Sequence, residues 1–471
     1  MGSASLVAIL CGALKNKIAA LYLGPGGFGL LALLQSALSF IATLAGLGLA
    51  SSGVQMIAAL NTGSRAEELT YTKRALLGGS FILGVVGTMV MSGFRVPIAR
   101  WFFGNDLYSK AIAMISIGVW ATVLSGAQSA ILNGLHKISK LAKANAFGAI
   151  GSMIITAVAF WQWKEGGINL AVLGTPFASL AASWWFSRNV ESQVVVFDWD
   201  RIQKPFKEML PLGFVFMATS LMVVGSQFLA RVIVTRKIGL DATGHFQAAW
   251  AISMLYLGFV LNAMGADYYP RISAAAHDHA LTRTLANEQA EVALLLAAPV
   301  ILGMMALSPL IISLLYSHAF AESVEILRWQ LFGDVFKIGA WSIGYILLGG
   351  RFGRIFLFTE MSFHLVYLSL IWFGINALGL EITGIAFLIA YAYHFLLIWF
   401  VVRRTVGFSW NREVIGLFAL VLLAVGATFV LSKWHSNITF AFIITGLMSA
   451  YSFRRLSNML SADSLLFRWR R

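Results

Sequence analysis

Residues 238–273 read IGLDATGHFQAAWAISMLYLGFVLNAMGADYYPRIS, and this stretch decides the fold. It begins at a corner formed by Gly239 and continues as a long apolar segment. Residues 23–47 read LGPGGFGLLALLQSALSFIATLAGL, and their Gly24 precedes Gly239 by 215 positions. Two glycine-cornered hairpins of membrane length, one at the start of each half, indicate a duplicated, transporter-like fold.

The composition is that of a membrane protein. Hydrophobic residues make up 59% of the 471 residues, and charged residues only 11%. Soluble domains carry about a quarter charged residues, so this composition excludes a soluble protein. Apolar runs of about 20 residues, the length that crosses a bilayer, recur along nearly the whole chain. The sequence therefore predicts an all-α polytopic membrane protein.

We count fourteen candidate spans from the apolar runs. The predicted spans are 3–23, 27–48, 75–94, 111–133, 144–162, 168–187, 210–234, 245–266, 292–316, 326–348, 355–375, 382–402, 414–432 and 437–453. The longest polar connection lies between spans six and seven. We therefore expect an N-terminal six-helix lobe at 1–190, a C-terminal six-helix lobe at 207–405 and an extra helix pair at 412–455.

The basic residues predict the orientation. With the N-terminus inside, 22 of the 34 lysines and arginines lie on the cytoplasmic side and 7 lie on the opposite side. Cytoplasmic loops are enriched in Lys and Arg, so both termini are predicted to be cytoplasmic. The formal net charge of +14 is then a topology signal, and we expect no nucleic-acid partner.

Charged residues inside spans are candidates for function, because each costs roughly 2.5–3.5 kcal/mol at a helix centre. Lys15 and Lys17 point about 200° apart on one helix, so at most one of them faces a central cavity. We favour Lys17, and expect Lys15→Ala to be nearly silent. The repeat places Arg231 opposite Asn16, one residue from Lys17. These cations suit an anionic substrate.

The acidic candidates have structural alternatives. Asp334 and Lys337 are neighbours on one helix face, where they form either a packing pair or part of a functional site. Glu360 lies near a span end, so its carboxylate either reaches the interface or takes part in coupling. No pattern predicts a metal ion or a cofactor.

Three stretches resemble a known family. GHFQAAWAISMLYLGFVLNAMGADYYPRIS (244–273), KIAALYLGPGGFGLLALLQ (17–35) and LRWQLFGDVFKIGAWSIGYILLG (327–349) are similar to Wzx-type flippases for lipid-linked oligosaccharides. These are the O-antigen and enterobacterial-common-antigen translocases of the multidrug/oligosaccharidyl-lipid/polysaccharide exporter superfamily. The similarity covers most of the first 400 residues.

The resemblance implies two six-helix bundles in a V shape around a central cavity. It also implies that an undecaprenyl-pyrophosphate-linked oligosaccharide moves from the cytoplasmic to the periplasmic leaflet of a bacterial inner membrane, beside polysaccharide polymerase machinery. Residues that match the family motifs are Lys17, Gln35, Gln247, Trp250, Asp267, Tyr269, Arg271, Arg328, Asp334 and Lys337. With Arg231 and Glu360 added, the expected substrate-binding residues are Lys17, Arg231, Gln35, Gln247 and Trp250. The expected gating or ion-coupling residues are Asp267, Arg271, Asp334, Lys337 and Glu360.

Other classes of protein remain as alternatives. A cation-coupled multidrug exporter of the same superfamily would need carboxylates in its cavity, where span one offers lysines. A membrane-embedded oligosaccharide polymerase or glycosyltransferase would need a large extracytoplasmic loop or a clustered acidic site, and no loop is long enough for a soluble catalytic domain. A scaffolding protein would not need the repeat or the buried cations. The sequence therefore favours a transporter over an enzyme.

Overall fold

The computed structural model describes residues 2–61, 66–189, 196–350, 352–433 and 438–461. These residues are helical almost throughout and contain no β-strand. The first half comprises α1 (Gly2–Ala45), α2 (Leu49–Asn61), α3 (Ala66–Gly93), α4 (Arg95–Phe103), α5 (Ser109–Ile115), α6 (Ile117–Gly134), α7 (Ile138–Trp163) and α8 (Ile168–Ser187). It is followed by α9 (Trp199–Lys237), α10 (Leu240–Ala263), α11 (Tyr269–Ala274), α12 (His279–Ala306), α13 (Ser308–Leu315), α14 (Ser323–Gly349), α15 (Gly353–Leu378), α16 (Ile382–Val406), α17 (Arg412–Lys433) and α18 (Ile438–Ser461).

The helices are those of a polytopic membrane protein. Within the described residues, nine helical stretches are long and apolar enough to cross a membrane by length and composition. Three of them, Ala4–Ala45, Ile138–Ser187 and Gly353–Val406, are 42, 50 and 54 residues long, and each holds two of the predicted spans. Every predicted span overlaps a helix, although the spans on α10 and α18 are not among the nine stretches. The predicted all-α fold class is confirmed.

The break in α1 separates the first two predicted spans. Gly24 has a φ of 61° and a ψ of −172°, a conformation that a residue with a Cβ rarely adopts. Pro25 follows and lacks the N–H that would continue the hydrogen-bond ladder of the preceding helix, whereas it fits the first turn of a new one. The corner at Gly24 is therefore encoded by two adjacent residues.

The internal repeat extends through the helices of both halves. Helix α7 begins and ends 215 positions before α15, and α8 begins within one residue of the same offset from α16. Lys164, which follows α7, has a φ of 46°, and Gly379, which follows α15, has a φ of 59°. Gly118 packs against Leu173, and a contact at the same offset joins Gly333 to Leu388. The repeat thus preserves helix ends, corners and packing contacts together.

The two glycine corners pack against each other in a reciprocal way. A Cβ on Gly29 would lie 2.1 Å from the carbonyl oxygen of Leu240, and a Cβ on Gly244 would lie 1.9 Å from that of Pro25. Leu240 is the repeat equivalent of Pro25, and Gly244 is that of Gly29. Because neither site leaves room for a side chain, glycine is required where the start of α10 crosses the second part of α1.

The chain packs as two compact units. Unit 1 is Met1–Gln247 with Leu315–Ala319, and unit 2 is Ala248–Leu314 with Phe320–Arg471. In unit 1, α9 packs on α1, α2 and α3, and a Cβ on Gly213 would lie 2.5 Å from the carbonyl oxygen of Leu47. The lobes and the helix pair predicted from the sequence stay predictions.

Helix α14 is the central helix of unit 2. It packs against α12, α16 and α17, and 78% of its most apolar window is buried, the highest share among the nine stretches of the described chain. The last two helices pack on α12. Arg455 of α18 donates to Glu291 of α12 at 2.5 Å and to Glu413 of α17 at 2.7 Å. This ion-pair bridge ties the C-terminal helices to unit 2.

Candidate functional site

Arg231 and Gln247, both expected to bind substrate, contact each other. Arg231 is 5% exposed near the end of α9, and its Nε donates to the Gln247 side-chain oxygen at 2.8 Å. Its Nη1 donates to the Gln227 carbonyl oxygen at 2.8 Å, and the ring of Phe246 lies 5.9 Å from the guanidinium carbon. The corner at Gly239 brings α10 back beside α9, which makes this contact possible. The guanidinium is thereby held in one orientation.

Two lysines lie on the first part of α1. Lys17 is half-buried there and has contacts of its own. Asn16, the repeat equivalent of Arg231, shares a side-chain hydrogen bond with the buried Tyr316. Lys15, which the sequence interpretation set aside, is half-buried and donates to Ser152 of α7. Three cations of unit 1, namely Lys15, Lys17 and Arg231, therefore lie within predicted spans.

The spans of unit 1 contain no acidic residue to balance these cations. The acidic residues between positions 1 and 250 are Glu67, Glu68, Asp106, Glu165, Glu191, Asp198, Asp200, Glu208 and Asp241. Each of them lies between two predicted spans rather than within one. A cation inside an apolar helix bundle is costly unless an opposite charge or hydrogen-bond acceptors stabilise it. The interior of unit 1 is therefore suited to an anion.

Gln35 and Trp250 are repeat equivalents, and each is half-buried. Gln35 lies on the second part of α1 in unit 1. Trp250 lies on α10 in unit 2, where its ring packs edge-on against Phe387 with centroids 5.8 Å apart. An amide and an indole are groups that hydrogen-bond and stack on sugars, as the expected role in binding an oligosaccharide requires.

Asp334 is the best-supported acidic residue of unit 2. Its side chain is fully buried on α14, and one carboxylate oxygen accepts from Ser253 at 2.9 Å and from Tyr256 at 2.5 Å. The other oxygen, Oδ1, has no hydrogen-bond partner among the described residues. Since buried carboxylate oxygens are normally paired, the free Oδ1 leaves capacity for a proton or a cation.

Lys337 lies one turn from Asp334 and is 4% exposed. Its Nζ contacts Met254 Sδ at 3.5 Å and lies over the rings of Tyr391 and Phe387, 5.1 Å and 5.6 Å from the centroids. Sulfur and aromatic faces are weak partners for an ammonium group compared with a carboxylate. The position of this cation is therefore sensitive to the charge on nearby acids.

Glu360 lies beside two histidines. The Nε2 atom of His394 on α16 lies 3.3 Å from Glu360 Oε1, and His394 is 2% exposed. His364 follows Glu360 by one helical turn on α15, and neither of its ring nitrogens has a hydrogen-bond partner among the described residues. Buried carboxylate and imidazole groups in membrane helices are typical of proton pathways.

The sequence analysis did not identify His364 or His394 as candidate functional residues, although their positions indicated it. An ionisable residue inside a span is a functional candidate by default, and His364 and His394 lie within predicted spans. The hydroxyls of Ser253 and Tyr256 carried no signal, because their partner Asp334 is 78 or more positions away in the chain.

The expected gating pair joins Asp267, in the π-helical turn Met264–Tyr268 that follows α10, to Arg271 of α11. Arg271 Nη1 lies 3.4 Å from Asp267 Oδ2, with side-chain exposures of 31% and 56%. An exposed pair of this kind contributes about 0–1 kcal/mol, so it constrains the turn only weakly. Arg328 of α14 instead donates to Glu325 at 2.6 Å and to Ser308 at 3.0 Å. That arginine holds α14 to the start of α13.

Comparison with known proteins adds a family and a fold. The model of the family described as "Polysaccharide biosynthesis protein" matches residues 18–325. Two relatives named "Lipid III flippase", from Escherichia coli (strain K12) and from Shigella flexneri, are each 24% identical over 373 residues. In both cases the match covers 76% of this chain and 86% of the relative.

Solved structures of two kinds share the fold. The lipid II flippase MurJ in an inward closed conformation superposes with a TM-score of 0.76 at 16% identity, covering 98% of each chain. A multidrug resistance MATE family transporter of the MOP superfamily, in an inward-facing conformation, superposes with a TM-score of 0.74 at 18% identity. That match covers 85% of this chain and 94% of the transporter. At these identities the likeness is one of fold.

Proposed function

The chain belongs to the polysaccharide biosynthesis protein family, and we propose that it is a flippase for undecaprenyl-pyrophosphate-linked oligosaccharides. It moves them from the cytoplasmic to the periplasmic leaflet by alternating access, as a transporter and not as an enzyme. The family match, the relatives named lipid III flippase and the fold shared with a lipid II flippase support this proposal. The expected resemblance to Wzx-type flippases agrees with all three.

The observation that carries the proposal is the cationic, acid-free interior of unit 1. A pyrophosphate that enters an apolar helix bundle must exchange its hydration for fixed positive charge, or the desolvation cost excludes it. Arg231 and Lys17 offer that charge, and Gln247 holds the Arg231 guanidinium in place. A multidrug exporter for cationic drugs would need carboxylates there instead. The alternative of a polymerase has no acidic residue within the predicted spans of unit 1 to support it.

The proposal assigns the remaining expected residues to sugar contact and coupling. Gln35, Gln247 and Trp250 contact the oligosaccharide or its phosphates. Asp334, Lys337 and Glu360 couple movement to an ion gradient, and the Asp267–Arg271 pair opens and closes with the cycle. The second set is supported by the free oxygen of Asp334 and by the histidine contact of Glu360.

We place the protein in the bacterial inner membrane with both termini cytoplasmic, beside polysaccharide polymerase machinery. Reporter fusions test the orientation. A fusion after Gly166 is expected to report the periplasm, and one after Arg404 the cytoplasm. The reverse pattern would overturn the fourteen-span topology.

A reconstituted assay tests the function itself. The full chain is placed in proteoliposomes with a fluorescent undecaprenyl-pyrophosphate oligosaccharide, and a membrane-impermeant quencher reports how much lipid changes leaflet. We expect rapid exchange of the pyrophosphate lipid and none of a neutral polyprenol. An inside-negative potential should favour outward movement, by roughly 2.3 kcal/mol per charge per 100 mV. Failure to move the pyrophosphate lipid, with expulsion of a cationic dye, would favour the multidrug alternative.

A further inference from the structure

Three helices of unit 1 converge on Lys15. Its Nζ donates to Ser152 Oγ of α7 at 3.0 Å and to Thr175 Oγ1 of α8 at 2.5 Å. The two hydroxyl oxygens are themselves 2.8 Å apart. Ser152 is buried, whereas Thr175 is exposed. The cluster of Lys15, Ser152 and Thr175 is therefore buried at Ser152 and accessible at Thr175.

The charge of Lys15 is not balanced by an acid on any of these helices. The sequences of α1, α7 and α8 contain no Asp or Glu. In contrast, Lys337 of unit 2 lies one helical turn from the carboxylate of Asp334. Thr156, one turn after Ser152 on the same face of α7, is fully buried, and its hydroxyl has no hydrogen-bond partner among the described residues. Positive charge and spare hydroxyl donors together suit an oxyanion.

Packing alone does not require these groups. The repeat equivalents of Lys15, Ser152 and Thr175 are Ala230, Tyr367 and Ala390. The second half thus forms the equivalent helices without a cation or a pair of hydroxyls at these positions. The polar cluster is a feature of the first half alone, which argues for a role other than helix packing.

We propose that Lys15, Ser152 and Thr175 form a binding site for one phosphate of a polyprenyl pyrophosphate, an inference that rests on the proposed function. The ammonium group supplies charge, and each hydroxyl donates its hydrogen to a phosphate oxygen in place of the single hydrogen bond that joins the two hydroxyls. The site adds an oxyanion contact to those expected of Lys17 and Arg231. It also replaces the expectation that Lys15→Ala is nearly silent, because Lys15 has polar partners of its own.

Lipid binding to the full chain in nanodiscs tests the site. Dissociation constants are measured for undecaprenyl pyrophosphate, undecaprenyl phosphate and inorganic pyrophosphate. Lys15→Ala is expected to weaken binding of the pyrophosphate lipid about tenfold to a hundredfold, the usual range for a lost charge-assisted contact. Ser152→Ala and Thr175→Val should each weaken it about twofold to tenfold, and Lys15→Arg should retain most of the affinity. Lys110→Ala removes an exposed cation and serves as the control.

The three ligands separate the possible outcomes. A general structural defect would weaken both lipids alike, whereas loss of this site should reduce the preference for pyrophosphate over monophosphate lipid. Unchanged affinity in Lys15→Ala would overturn the site and leave the proposed function standing. Wild-type protein that binds neither lipid would overturn the proposed function as well. Tight, Lys15-dependent binding of inorganic pyrophosphate alone would assign the site to the free anion. If Lys15→Ala does not accumulate, the dissociation constants of Ser152→Ala and Thr175→Val test the site instead, and unchanged values for both would overturn it.

Discussion

The interiors of the two units differ in chemistry although the repeat relates α7 and α8 of unit 1 to α15 and α16 of unit 2. Unit 1 places Lys15, Lys17 and Arg231 in spans that contain no acid. Unit 2 places Asp334 and Glu360 beside a lysine and two histidines. A duplicated scaffold has thus acquired an interior suited to an anion in one unit and one suited to protons or cations in the other. This difference agrees with the proposal that the pyrophosphate binds the cations of unit 1 and that acids of unit 2 take part in coupling.

Replacing Arg231 should have the largest effect, because it removes a fixed cation from unit 1. Arg231→Ala is expected to reduce the initial rate of lipid exchange in proteoliposomes by roughly a hundredfold or more, the loss of at least two charge-assisted hydrogen bonds. Arg231→Lys should retain part of the rate, since lysine keeps the positive charge but lacks the planar set of N–H donors of a guanidinium. Arg100→Ala, which removes an exposed arginine paired with Asp106, is the control. A normal rate in Arg231→Ala would remove the basis for assigning the anion to unit 1.

Replacing Glu360 should separate coupling from binding. Glu360→Gln and His394→Ala are expected to abolish the response of lipid movement to a proton gradient, while lipid affinity changes less than about twofold. The titratable groups around Glu360 include His394 and Tyr391 on α16, His364 on its own helix, and Lys337 on α14. Glu381→Gln, at an exposed carboxylate near Lys433, is the matched control. If both variants respond to the proton gradient as the wild type does, Glu360 and His394 do not take part in coupling.

Adding a methyl group to the glycine crossing should have an intermediate effect. Gly244→Ala forces a Cβ against the Pro25 carbonyl oxygen and is expected to destabilise the protein by about 1–3 kcal/mol, seen as a lower Tm in detergent. Gly258→Ala, on the same helix with nothing within 4 Å of its Cβ, should leave the Tm unchanged. Equal Tm values for both variants would show that the crossing is looser than the structure indicates.

The smallest effect is expected at the C-terminal helices. Arg455→Ala removes the bridge to Glu291 and Glu413, and because the side chain is partly exposed, solvent screening limits the loss to about 0–1 kcal/mol. Lipid exchange should stay within about twofold of wild type, as it should for the neighbouring exposed Arg454→Ala. A large loss of exchange in Arg455→Ala alone would bring α17 and α18 into the transport machinery.

Much of the fold could be predicted because membrane helices are encoded by local properties. Apolar run length located a helix at each expected span, and Gly24 located the corner in α1. The 215-position offset, read from a few glycines, extends to the ends of α7 and α15. In contrast, the close approach of Gly29 and Gly244 could not be predicted, because it depends on how two helices cross.

The candidate site was predictable only as a set of charges. Intramembrane Arg231, Asp334 and Glu360 were identified because a charge in an apolar span is rare and costly. Their partners were not, since a hydroxyl or amide in a span is common and carries little cost of its own. The pairing of Arg231 with Gln247 was not predicted either, because Arg231 came from the repeat and Gln247 from the resembling stretch at 244–273.

The sequence by itself determined the membrane class, the duplication and the difference between first-half spans without an acid and second-half spans that carry Asp334 and Glu360. These follow from composition, spacing and charge along one chain. Only the tertiary structure gave the surroundings of Lys15. Helical geometry gives the angle between Lys15 and Lys17, but it does not say which neighbouring helix each of the two side chains contacts. Ser152 and Thr175 lie 137 and 160 positions from Lys15, and only the packing of α1 against α7 and α8 brings the three side chains together.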